Sequence, residues 1–144
     1  MNPDDTLLDL QIDALPDALQ QMRHRLDDTL AGTGLARPAR EPLILAVNEA
    51  CMNVIQHAYH ETPGKQIRLR VTREPDLLRF TIEDDAPCID PGCVKPRDLS
   101  DVRPGGLGVH FIREIMDEMH FHACGTRGNR LELVKRLDRT ETAQ

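Results

Sequence analysis

Apolar and polar positions half-alternate over residues 6 to 12 (TLLDLQI), a period near two that predicts a short first strand. The period then changes. Leu15, Leu19, Met22, Leu26 and Leu30 recur at steps of four and three, the spacing of one helical face. Pro16 and Asp17 suit the first turn of that helix, and Gly32 to Gly34 suit its end. A second helix is predicted from about Pro38 or Glu41 to Tyr59, its broad apolar side built from residues such as Leu43, Val47, Ala50, Val54 and Ile55.

A turn by composition, ETPGK, precedes Ile67, Leu69 and Val71, which alternate with Arg68, Arg70 and Thr72. Leu78, Phe80 and Ile82 repeat that pattern after Glu74-Pro75-Asp76, so residues 65 to 84 read as a hairpin. From Asp85 to Gly106 there are four prolines, three glycines and little periodicity, a long loop of the kind that carries function. A third helix (Leu107 to about Met119) and two strands (about 119 to 125 and 129 to 137) follow, and the tail from 138 to 144 is polar. The order β-α-α-β-β-loop-α-β-β is not the strict alternation of a doubly wound parallel sheet. It predicts one α/β domain over 1–144, with its core at about 6–137: a two-layer sandwich with helices on one face of a mostly antiparallel mixed sheet.

Composition narrows the chemistry. The chain has 144 residues and 40% hydrophobic residues but only 3% aromatics and no Trp, so the core must rest on aliphatic side chains. With 24 acidic against 18 basic residues the net charge is −6, which argues against general binding to nucleic acid or to an anionic membrane. A phosphate ligand would need local groups and a cation. No apolar run is long enough to span a membrane, and the acidic start lacks a signal-peptide pattern, so a cytoplasmic protein is expected. Cys51, Cys88, Cys93 and Cys124 form no CxxC pair and are expected to be reduced thiols rather than zinc ligands.

Residues 49 to 57, E-A-C-M-N-V-I-Q-H, place Glu49, Asn53 and His57 four apart, along one side of the second helix. A carboxylate one turn before an amide offers a proton acceptor and a metal-tolerant oxygen to one small volume. Asn53 has poor helix propensity, so something besides helix formation favours it there. His57 near a helix end is equally explained by packing or by the helix dipole. Asp84 and Asp85 end a predicted strand, where a carboxylate can accept from an exocyclic amine or simply be solvated. Gly105, Gly106 and Gly108 flank Leu107 just before an apolar helix, where free N–H groups can face an anion. A flexible turn opening a helix explains the same glycines. Arg23, Arg25 and Asp27 on the first helix are candidates for partner binding, or an ordinary exposed face. No nucleophile elbow and no H-E-x-x-H spacing is present.

Taken in order, E-A-C-M-N-V-I-Q-H-A-Y, T-I-E-D-D-A-P-C-I-D-P and P-G-G-L-G-V-H-F-I-R-E-I-M-D-E resemble the N-box and the two glycine boxes of the GHKL ATPases. Within that group the chain looks like the small anti-sigma factor serine/threonine kinases of the RsbW type, over roughly residues 6 to 137. The resemblance implies a Bergerat fold that binds ATP and Mg²⁺. It implies that Asn53 holds the metal, that Glu49 is the catalytic acceptor for the attacking hydroxyl, and that Asp84 bonds the adenine amine. Ala86 would flank the base, and Gly105, Gly106, Leu107 and Gly108 would offer backbone N–H groups to the phosphates. The implied activity is partner switching: sequestering a sigma factor and phosphorylating a STAS-type anti-anti-sigma antagonist. A homodimer is implied too, with the first strand as one possible contact. Ala86 and Cys88 stand where the family's first box has glycines, and the closing strand lacks the family's Thr near adenine. A binding switch with weak catalysis is therefore the alternative function.

Overall fold

A computed structural model describes residues 5–59, 62–87, 106–123 and 127–137. Five strands form one sheet in the order β1-β2-β3-β5-β4: β1 (Thr6–Asp13), β2 (Gln66–Glu74), β3 (Leu77–Pro87), β4 (Glu118–Ala123) and β5 (Arg127–Arg136). Every described pairing is antiparallel, so the sheet is simpler than the mixed one expected. Three helices pack on one face: α1 (Ala18–Ala31), α2 (Arg37–Asn53) and α3 (Gly106–Ile115). None of them is long and apolar enough to cross a membrane.

The alternation read from the sequence places the core. Ile67, Leu69, Leu78 and Phe80 are fully buried from the sheet, and Met22, Leu26, Leu30 and Val47 from the helices. Removing this aliphatic surface from water, at roughly 25 cal/mol per Å², is the main force holding the two layers together. Leu15 departs from its predicted stripe. The chain leaves β1 through a tight turn, in which the Ala18 amide bonds the Leu15 carbonyl and the Leu19 amide bonds that of Pro16. The helix therefore starts only at Ala18, leaving Leu15 46% exposed. Gly34, at φ 92°, ends the turn after α1 in a conformation that side chains disfavour.

Polar ties join the first two helices. Arg23 donates to the Asn48 amide oxygen at 2.8 Å, and Arg40 donates to Asp27 at 2.9 Å. Two of the three α1 residues expected on a free surface are thus tied to α2, while Arg25 stays exposed.

On the other face of the sheet the outward side chains pair across strands. Arg68 makes a two-pronged bond to Asp9, at 2.9 and 2.7 Å. Arg70 bonds Glu83, Arg79 bonds both Glu74 and Glu132, and Arg136 bonds Glu118, at 2.9 to 3.1 Å. No described element covers this face.

Candidate functional site

Glu49 and Asn53 lie one turn apart on α2, both half-buried, as their spacing predicts. The α-helix stops at Asn53. Residues Val54–Ala58 form a π-helical turn, closed by the Tyr59 amide bonding the Val54 carbonyl at 2.9 Å. A π turn is wider than an α turn, so the four-residue spacing no longer keeps side chains in line. His57, within that turn, is exposed, whereas Glu49 and Asn53 are half-buried. The sequence could not reveal this change, because V-I-Q-H-A continues an ordinary helical pattern.

The π turn and α2 both touch β3, and the Asp85 N–H donates to the hydroxyl of Tyr59, the residue after the π turn, at 2.6 Å. Asp84 sits opposite Asn129 of β5, just before a register shift between Asp84 and Pro87. Its Oδ1 accepts two hydrogen bonds at 2.9 Å, from the Ala86 amide and from Asn129 Nδ2. Among the described residues none bonds its Oδ2, so one oxygen is locked and the other carries no bond. Burial pushes the Asp84 carboxyl above its ordinary 3.8, and the Asp85 charge adds to that, against the two hydrogen bonds. Asp85 itself is exposed.

Asn129 was missed by the sequence reading, which noted only that the closing strand lacks a Thr. The signal lay in the strand register, because Asn129 pairs directly with Asp84 across the ladder. Ala86 is 2% exposed and its methyl packs in the core cluster, so the residue replacing a glycine is accommodated inward.

Gly106, Leu107 and Gly108 form the first turn of α3, where backbone N–H groups lack partners within the helix. That turn carries partial positive charge. Gly105, Cys88, Cys93, Cys124 and Arg103 lie outside the described residues. Cys51 is buried in α2, and burial pushes its thiol up to about 12. A separate pocket of about 220 Å³ opens at the far end of α2, between Pro38, Pro42, Ile115 and Leu137, with Glu114 and Lys135 in its lining.

A half-open antiparallel sandwich, with a desolvated carboxylate at a strand end and a carboxylate–amide stripe at a helix end, is the layout of an ATPase domain of the histidine-kinase kind. The chain belongs to that family: the model of the histidine kinase-like ATPase domain matches residues 12–135. Among curated proteins it is similar to the serine-protein kinase RsbW of Bacillus subtilis (strain 168). The two are 28% identical over 121 residues, which cover 78% of this chain and 75% of the relative. Among solved structures, the RsbU and RsbW domains of a Mycobacterium tuberculosis protein superpose with a TM-score of 0.62 at 18% identity, covering 90% of this chain and 31% of that one. The histidine kinase domain of the Erythrobacter litoralis EL346 blue-light activated kinase gives 0.58 at 21% identity, covering 90% of this chain and 64% of the other. This chain thus spans about a third of the first structure and under two thirds of the second, and both share its fold.

Proposed function

We propose that the chain is an ATP-dependent protein serine/threonine kinase and anti-sigma factor. It sequesters a sigma factor and phosphorylates a STAS-type antagonist that competes for the same surface. The observation that carries the reading is Asp84, whose carboxylate has one oxygen fixed by two donors and no described partner on the other, on a strand end tied through Tyr59 to the helical segment that bears Glu49 and Asn53. An open carboxylate oxygen held in that way accepts the amine of adenine and discriminates against a 6-oxo purine.

Asn53 and Glu49 offer an amide oxygen and a carboxylate one turn apart, a donor set that suits Mg²⁺, which binds few protein oxygens and keeps phosphate and water as its other ligands. Asn53 would hold the ion, which supplies neutralisation of phosphate charge. The amides of Gly105, Gly106, Leu107 and Gly108 bind the phosphates at the positive end of α3. Glu49 accepts the proton of the attacking Ser or Thr hydroxyl on the antagonist and orients it for in-line transfer.

Titration calorimetry with ATP and ADP, with and without Mg²⁺, tests the binding half. Absence of heat at millimolar nucleotide would overturn it. Label transfer from ATP to a STAS-type antagonist tests the chemistry, with Glu49→Ala expected to lose at least about a hundredfold in rate. Tight partner binding without transfer would instead favour a stoichiometric switch, and normal transfer by the Glu49 variant would remove Glu49 from the mechanism.

A further inference from the structure

β2 and β3 pair regularly from Glu74 opposite Leu77 to Arg68 opposite Glu83. Carrying that register on by two residues sets Gln66 opposite Asp85, where a direct bond would join the Asp85 N–H to the Gln66 carbonyl. The bond is not made directly. The Tyr59 hydroxyl stands between the two groups, accepting from the Asp85 N–H at 2.6 Å and donating to the Gln66 carbonyl at 2.7 Å. Tyr59 is 3% exposed, so its ring is held by the surrounding packing and the hydroxyl is fixed in place between the two strands.

On its other side the same strand stays paired with β5 through Asp84 opposite Asn129, and its register shifts between Asp84 and Pro87. Asp84 is thus the last residue in register with β5 before the shift, with Asn129 holding its carboxylate on that side and Tyr59 holding the next residue, Asp85, on the other. Tyr59 directly follows the π turn that begins after Asn53, and that turn delivers its ring to the gap between the strands.

We infer that Tyr59 is a positioning residue for base recognition: its hydroxyl wedges β2 from β3 and fixes the height at which Asp84 meets the purine 6-position. The inference rests on the reading of Asp84 as the adenine acceptor. Without the hydroxyl, either β3 closes directly onto Gln66 and carries Asp84 with it, or the two backbone groups lose the partner that fixes their separation. In both cases the acceptor moves while the groups that hold phosphate do not.

The test compares ATP with inosine triphosphate, which presents an oxygen where ATP presents an amine. In the full chain, Tyr59→Phe is expected to weaken ATP about tenfold by calorimetry while inosine triphosphate changes less than about twofold, so base preference collapses. A parallel loss of both nucleotides would mark a merely structural residue and overturn the inference. An unchanged ATP affinity and preference in the variant would overturn it as well. Wild-type protein that binds neither nucleotide would overturn the functional reading, and the inference with it. Because the chain has a single tyrosine, biosynthetic fluorotyrosine labels this one site without any substitution. Its fluorine resonance is expected to shift differently with ATP and with inosine triphosphate. Identical spectra with the two would count against the wedge even if the Phe variant failed to fold.

Discussion

Changing Asp84 to Asn exchanges one carboxylate oxygen for an amino group, and the structure dictates which one. The Ala86 amide and Asn129 Nδ2 both donate to Oδ1, so the new side chain must keep its oxygen there. Its NH₂ group then occupies the ligand-facing position. An amine of adenine would meet a donor instead of an acceptor, whereas a 6-oxo purine would find a partner. A hydrogen bond to a charged group contributes about 1.5–3 kcal/mol. At about 1.4 kcal/mol per tenfold, ATP affinity should fall roughly 10- to 150-fold. Inosine triphosphate should hold its affinity or gain. Competition calorimetry with both nucleotides measures this directly, and thermal unfolding supplies the control for folding. The variant should be no less stable than the wild type, because burial of the charged carboxylate is removed while both hydrogen bonds remain. ATP binding at wild-type strength, or an equal loss of both nucleotides, would refute the reasoning.

Other outcomes follow from burial and charge. The Asp84 carboxyl is raised above 3.8, so the folded state holds its proton more tightly than the unfolded state does. Its contribution to stability therefore declines as pH rises from 3.8 through the folded value, a trend that denaturation of Asp84→Asn should lack when the two are compared. The Cys51 thiol, buried and pushed up to about 12, should resist iodoacetamide in the native protein and react on unfolding, as peptide mass mapping would read. Phe80→Ala, at a fully buried site in the central strand, should lose about 3–5 kcal/mol in urea unfolding. A loss under 1 kcal/mol would mean that the core there collapses around the gap.

The parts of the fold legible in the sequence are those governed by local period. Ile67, Leu69 and Val71 against Arg68 and Arg70 marked both faces of β2, although Thr72 of the same alternation is buried, and the buried face of α1 followed from Leu19, Met22, Leu26 and Leu30. Leu15 fitted the same period yet fell outside the helix, because the turn after β1 consumed the residues before Ala18. The Glu49 and Asn53 stripe was legible for the same local reason. Its continuation to His57 was not, since a π turn depends on what the helix end packs against. Asn129 and Tyr59 were invisible as site residues because their partners lie 45 and 26 positions away in sequence. Only the register of the finished sheet brings them to the Asp84 segment.

The paired charges on the open face of the sheet bear on why the domain stops at two layers. Asp9, Glu74, Glu83, Glu118 and Glu132 are matched by Arg68, Arg70, Arg79 and Arg136, so each neighbouring pair of strands is bridged on this face. Laying another helix or a second sheet on that surface would strip water from a whole lattice of ions, at several kcal/mol for each. The same lattice stitches neighbouring strands without any covering layer. A broad antiparallel sheet exposed on one side would otherwise invite stacking between molecules. Here it is a finished wall, which leaves the helical side and the sheet's edges as the places where another protein can settle.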